Sequence, residues 1–330
     1  MDKLSPAIFE SYGLTSRNIK KEKGHYFCET NKGLVRISIT HETTEVIRLQ
    51  HQIKEYIAAS GFLFSDRFLL TTTNQPFSLI GRDTYVACLF SEAKAITPMP
   101  RETDFLNDNE VIFATQALAR FHEAARNVPM ENIIHAPPLH QSYAKQAAEL
   151  AQAGKQTRRG SRLSDFDVAF IKYAPHFEDK IQTSIDILSS SNYQNFYIDA
   201  LSQRNICHNA LKEENLLIID GETYITGFSY ASVDFQLNDL AALIRRYAQR
   251  GNQTISINKL VDTYHDILKL PNGALEILYA QLIFPQPFLK IVASYYSKKR
   301  NWTPNGLLSR MDAIIRESEK YDEYVQSLIF

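Results

Sequence analysis

The chain has 330 residues, 44% of them apolar, and a formal net charge of −1. A chain of this length buries a sizeable core and has room for two lobes. The balanced charge removes any global electrostatic case for nucleic acid or an anionic membrane as partner. No segment approaches ~20 consecutive apolar residues, so no membrane span is expected. The opening Met-Asp-Lys-Leu-Ser-Pro carries no apolar signal-peptide run, which points to synthesis in the cytoplasm. Cys28, Cys88 and Cys207 are far apart, each with apolar neighbours, and are expected as buried free thiols.

In chain order, the first stretch reads as strands with one helix. Tyr26 to Thr30 and Leu34 to Thr40 form two strands joined at Asn31-Lys32-Gly33. Glu45 to Ser60 has helical spacing, with Val46, Leu49, Ile53 and Ile57 on one face, and Gly61 stands where a C-terminal glycine belongs. Phe62 to Thr72 and Phe77 to Ile80 read as extended, and Tyr85 to Phe90 as a buried strand. The character then becomes helical, placing a boundary near Phe90 to Ala93: a β-rich region over 1–91 and a mainly helical region over 92–330. Helices are expected over Asn109 to Arg126 and Phe166 to Leu188. The run Lys155 to Arg162 is expected as a solvated charged loop. Leu216 to Ile219 and Tyr224 to Ile225 form a small hairpin turned at Asp220-Gly221. Asp239 opens an amphipathic helix with Asn238 or Asp239 as its N-cap, and the tail is helical.

Two motifs carry the functional signal. The first is Cys207-His208-Asn209-Ala210-Leu211-Lys212-Glu213-Glu214-Asn215. The second, whose Gly227 lies nineteen residues after His208, is Ile225-Thr226-Gly227-Phe228-Ser229-Tyr230, followed by Asp234 and Asp239. Kinase-like phosphotransfer needs an aspartate at the attacking hydroxyl and an asparagine and a second aspartate on Mg²⁺. It also needs a strand lysine braced by a helix glutamate at the phosphates. The layout resembles the aminoglycoside and choline phosphotransferase branch of the protein-kinase-like fold, whose loop reads His-Gly-Asp-x-x-x-x-Asn and whose metal motif reads Ile-Asp-Phe or Ile-Asp-Trp. More closely, the chain is similar to the CotS-type (CotS/YsxE-like) spore coat proteins. The resemblance includes Gly33-Leu34-Val35-Arg36, His51-Gln52 to Gly61-Phe62, Leu118-Ala119-Arg120-Phe121-His122-Glu123 and Phe166-Asp167. It continues through both motifs to Asp239-Leu240-Ala241, Phe284-Pro285-Gln286-Pro287-Phe288, Tyr295-Tyr296 and Trp302.

The resemblance implies a bilobal α+β fold, with a small β-rich lobe and a larger helical one. Placed on its pattern, His208 is the loop histidine and Asn215 the metal asparagine. Ala210 replaces the catalytic aspartate, Gly227 replaces the metal aspartate, and Ser229 stands where many coat proteins carry another acid. A methyl group accepts no proton, and glycine offers a hard cation no carboxylate. Arg36 stands near the strand lysine's place or, with the register shifted by two, Ser38 does. Arg36 and Glu55 are the residual nucleotide-cleft candidates, with Glu45 as a second candidate brace; a solvated face is the plainer expectation for the two glutamates, and Arg36 reads equally as an exposed strand residue or a phosphate ligand. His208, Asp234 and Asp239 are expected to serve structure. Tyr295-Tyr296 and Trp302 are expected to serve packing or a partner surface.

The leading expectation is a catalytically inactive pseudokinase of the spore coat, with other coat proteins as partners and no cofactor. One alternative is an ATP- and Mg²⁺-dependent small-molecule phosphotransferase using relocated acids among Glu213, Glu214, Asp220 and Glu222. Another is a nucleotide- or metabolite-binding module without turnover.

Overall fold

The structure is a computed structural model. It describes residues 4–22, 24–91, 101–102, 107–130, 132–159, 162–219, 221–249, 253–297 and 304–329. Trp302, Asp220 and the second half of the expected boundary segment, residues 92–93, lie outside these residues. The chain divides into two compact units, each built from two segments: residues 1–134 with 203–233, and residues 135–202 with 234–330. The hairpin that carries the second motif therefore belongs with the sheet-rich first unit.

The first unit contains α1 (Pro6–Tyr12), β1 (Ser16–Glu22), β2 (His25–Thr30), β3 (Gly33–Thr40), α2 (Thr44–Ala59), β4 (Arg67–Phe68), β5 (Ser78–Ile80), β6 (Asp83–Ser91), β7 (Arg101–Glu102) and α3 (Asp108–Ala124). Its second segment adds β8 (Ile206–Cys207), β9 (Leu216–Ile219), β10 (Glu222–Ile225) and β11 (Ser232–Val233). The main sheet runs β1-β2-β3-β6-β4, with β5 also paired to β6. Period-2 alternation sorts its side chains. Tyr26, Cys28, Val35 and Ile37 join Ile8 and Tyr12 of α1 in one core. Phe27, Leu34, Val86 and Cys88 face the other way, into a core completed by Ile47 of α2 and by Leu217, Ile219 and Tyr224 of the hairpin. Arg36 and Ser38 follow Leu34 on this second face, opposite Cys88 and Val86.

The hairpin is held to the sheet region by backbone as well as by packing. Ile225 N–H donates to Phe64 O at 2.9 Å, and the Phe64 and Tyr224 rings meet edge-to-face at 5.6 Å. β9 also pairs with β7, and β8 pairs with β11. The second unit holds α4 (Leu139–Arg159), α5 (Asp165–Ser190), α6 (Tyr193–Ser202), α7 (Leu237–Ala248), α8 (Ile257–Ile267), α9 (Ala274–Ile283), α10 (Gln286–Tyr296) and α11 (Pro304–Gln326). Its apolar stretch 274–296 is interrupted at Phe284-Pro285 and is mostly buried, as in the core of a helical bundle.

Several expectations need correction. Residues 155–159 close α4 and are helical rather than a loop. The N-cap of α7 is Gln236, without a side-chain cap bond, and not Asn238 or Asp239. The buried face of α2 is Ile47, Gln50, Ile53, Lys54 and Ile57, whereas Val46 and Leu49 are half-buried. The elements α1 and β1 and the short strands β7, β8 and β11 went unanticipated.

Other sequence features settle into the packing. The three cysteines are buried free thiols. Phe166 stacks on Tyr295 at 3.8 Å between centroids, and the Tyr296 hydroxyl donates to Asp167 at 2.7 Å. Asp167 also closes the capping box of α5 with Ser164. Two dipeptides far apart in sequence thus pin the start of α5 to the end of α10.

Candidate functional site

Within the first unit, a cavity of about 390 Å³ is lined by Arg36, Ser38, Lys54, Asp66, Asn215, Gly227 and Ser229 among others. Strand β3 supplies Arg36 and Ser38, helix α2 supplies Lys54, and the two motifs supply the rest. Pairing of β9 with β10 sets Leu216 opposite Ile225, so the residues just outside the hairpin ends, Asn215 and Thr226, come together; Thr226 N–H donates to Asn215 O at 2.9 Å.

The loop before the hairpin is closed on itself. His208 is fully buried. Its Nε2 donates to Thr226 O at 2.8 Å, and its Nδ1 accepts the Ala210 N–H at 3.2 Å. That pair of bonds selects the neutral tautomer protonated at Nε2 and leaves neither nitrogen to carry a proton to a reacting group. Phe228 packs edge-on against the His208 ring at 4.9 Å.

Asn215 and Gly227 are in direct opposition. The Asn215 amide donates to Ala210 O at 2.8 Å, which turns its oxygen toward Gly227. Gly227 has φ +75°, and a Cβ added there would lie 2.8 Å from Asn215 Cγ and closer still to Oδ1. The asparagine therefore fills the space in which a carboxylate at 227 would begin. Ala210, its methyl buried, supplies no second acid. Mg²⁺ requires near-octahedral oxygen ligation, with carboxylate among its usual protein donors. The described side chains at this place offer one amide oxygen. Among the described residues, no group of three or more His, Cys, Asp or Glu is placed to hold a metal ion. This donor set does not fit the Mg²⁺ of the phosphotransferase pattern, and no step can be derived through that ion.

Of the acids considered for relocation, Glu214 lines the cavity, but its side chain is 62% exposed and pairs with Lys212 at 3.4 Å. Glu222 is exposed at the far end of the hairpin. The side chain of Glu213 and all of Asp220 lie outside the described residues.

The cationic side of the cavity departs from the expected lysine and glutamate. Arg36 Nη2 contacts Asp66 Oδ2 at 2.7 Å, and Lys54 Nζ contacts Asp66 Oδ1 at 2.9 Å. Lys54 and Asp66 are each 1% exposed. The Lys54 ammonium also sits 3.8 Å from the Phe68 ring centroid. Glu55 does not line the cavity. It binds Arg67 Nε at 3.0 Å, and that bond holds the Arg67 guanidinium pKa above its ordinary value. Glu45 is exposed in the first turn of α2. Sequence reasoning missed Lys54 and Asp66. The available signal was a lysine inside an apolar helical stripe, seven residues after Ile47 and three before Ile57.

Asp234 and Asp239 lie in the second unit, just before and within the first turn of α7. Asp234 accepts from Phe235 N–H at 2.7 Å and from the Asn238 amide at 2.8 Å. Burial, reinforced by the charge of Asp239, pushes its pKa up to about 7 from 3.8 despite these bonds. A carboxyl raised on folding binds its proton more tightly in the native state. Its stabilising contribution is complete below pH ~4 and is lost as pH rises to ~7. Asp234→Asn should remove this slope. Denaturant melts at pH 4.5 and pH 8 should differ by about 3 kcal/mol less in the variant than in the wild type. Equal slopes would contradict the assignment. The Asn238 Oδ1 atom, buried without a hydrogen-bond partner among the described residues, is a ready acceptor for the new amide.

Comparison with known proteins places this geometry in context. The model of the family described as spore coat putative kinase YutH matches residues 5–328. Spore coat protein S of Bacillus subtilis (strain 168) is 22% identical over 166 residues, 49% of this chain. The match spans 47% of that relative's length, about half of it. Among solved structures, an aminoglycoside phosphotransferase from Alicyclobacillus acidocaldarius subsp. acidocaldarius DSM 446 superposes with TM-score 0.84 at 18% identity, covering 99% of this chain and 96% of that one. A spectinomycin phosphotransferase, solved with ADP and spectinomycin, superposes with TM-score 0.62 at 12% identity, covering 98% and 96%. At these identities the structures establish the kinase-like phosphotransferase fold, as the sequence pattern implied.

Proposed function

Because the chain belongs to the spore coat putative kinase YutH family, we propose that it serves the bacterial spore coat as a non-catalytic structural or assembly component with a kinase-like fold. A fold hosts many activities, so the site must carry the functional reading. The supporting observation is the seating of Asn215 against Gly227, opposite Ala210. Proton acceptance and metal ligation are both missing from a loop whose backbone geometry is otherwise kept by His208 and the hairpin. Other coat proteins are the partners this reading requires, and the spore coat is its location.

The test is complementation of a strain lacking this chain. Wild type and Asn215→Ala should both localise to the coat and restore its assembly to the same extent. Restoration by the wild type with at least about tenfold loss in Asn215→Ala, at equal protein level, would instead support a phosphotransferase dependent on that amide.

A further inference from the structure

Helices α4 and α10 of the second unit leave a groove of about 330 Å³ between them. None of its lining residues belongs to either motif. Its floor is apolar, with Leu150, Ala153, Leu289 and Val292 all buried. Ala153 and Ala293 are too short to fill the space between the helices. The Thr157 and Tyr296 hydroxyls, 2.5 Å apart, bond the two helices beside it. Glutamines at 146, 152 and 156 give the α4 rim both donors and acceptors.

The end of α4 next to this groove is basic. Between Leu150 and Ser164 the sequence holds Lys155, Arg158, Arg159 and Arg162 and no acid, in a chain of net charge −1. Helical spacing puts positions 155 and 159 on one face with Gln152 and Gln156, at the groove's edge. Lys155 and Arg162 are exposed and have no ion-pair partner among the described residues. Cations in the last turn of a helix answer its dipole. Arg162 has no such reason: it stands two residues before Ser164, the N-cap of α5, where the dipole favours acids.

We propose that this groove docks an acidic amphipathic helix of another coat component. The partner's apolar residues enter between α4 and α10, and its carboxylates meet the basic end of α4. Charge complementarity selects the sign of the partner. The recessed floor selects a helix over a lipid surface: a bilayer takes up apolar residues that protrude, and Leu150 and Val292 are each 2% exposed. The inference rests on the coat reading, which supplies the need for a protein partner.

The experiment is fluorescence anisotropy of a labelled synthetic peptide of about 18 residues, with leucine at helical spacing and glutamate on the flanks, titrated with the full chain. The same peptide with lysine for glutamate, and vesicles of phosphatidylglycerol, are the other two probes. The acidic peptide should bind at least about tenfold tighter than the basic one. Its affinity should fall about fivefold between ~50 mM and ~500 mM sodium chloride. Ala293→Phe, at an exposed groove position, should fill the groove and weaken binding at least about tenfold. Lys155→Glu combined with Arg162→Glu should weaken it by a similar factor, with the unfolding midpoints of both variants unchanged. No binding of the acidic peptide, equal affinity for the two peptides, undiminished binding in either variant, or preferential binding to the vesicles would overturn the proposal. Any of these together with normal coat localisation in the complementation test would strike the groove and leave the coat role standing.

Discussion

Replacing Gly227 with aspartate, the acid that a metal-binding centre would carry there, is expected to lower stability by about 3 kcal/mol. Two costs combine. The residue sits at φ +75°, where any side chain costs energy and aspartate less than most. Its Cβ would also meet the Asn215 side chain, 2.8 Å from Cγ and 3.1 Å from Nδ2, so that side chain must leave its bond to Ala210 O. The second cost should disappear when asparagine is removed. In an Asn215→Ala background, the penalty of Gly227→Asp should fall to about 1 kcal/mol, a coupling that a double-mutant cycle in urea reads directly. Additive single-mutant effects would show that Asn215 does not occupy the vacated position. The prediction also explains why restoring acids one at a time is not expected to restore a metal site.

The second large effect concerns Asp66. Asp66→Ala should cost about 4 kcal/mol, because it leaves the buried Lys54 and Arg36 cations facing each other without their shared carboxylate. Lys54→Met should cost about 1 kcal/mol, because Asp66 keeps Arg36 as partner and the methionine stem fills the space against Phe68. The surface pair offers the contrast: Glu55→Ala removes a half-exposed partner of Arg67 and should cost under about 1 kcal/mol. The three midpoints, measured by urea denaturation, should fall in that order. An Asp66→Ala cost no greater than that of Glu55→Ala would remove the buried cluster from the account.

The order of elements was legible where one face is buried and the other is not. Alternation in β2 and β3, the helical stripes of α3 and α5, and the turn at Gly221 fall close to their sequence-predicted places. β1 was illegible because Ser16 to Glu22 is an exposed edge strand carrying Arg17, Lys20 and Lys21, and charged edge residues of this kind deter further pairing. α2 was recognised as a helix, with Ile53 and Ile57 on its buried face, but Gln50 and Lys54 were left off that face. A pattern that rewards only apolar residues skips Gln50 and Lys54, the two polar residues that the helix buries. The site divided along the same line. Ala210, Asn215 and Gly227 could be placed from motif spacing, and their chemistry follows from residue type. The Asn215 side chain filling the space at Gly227 depends on a rotamer and on a positive φ, which spacing does not encode. Asp66 belongs to no motif. It is brought to Arg36 and Lys54 by the chain leaving α2, where Ser65 bridges to Ile225 of the hairpin.

On the proposed reading, the motif pair keeps the architecture of a phosphotransfer loop without its chemistry. The most direct measurement is phosphate release from ATP in the presence of Mg²⁺ and candidate amino alcohol, aminoglycoside and protein acceptors, comparing wild type with Asn215→Ala and Glu214→Gln. Release is expected at the protein-free background for all three proteins with every acceptor. Sustained Mg²⁺-dependent turnover by the wild type, lost in Asn215→Ala or Glu214→Gln, would contradict it.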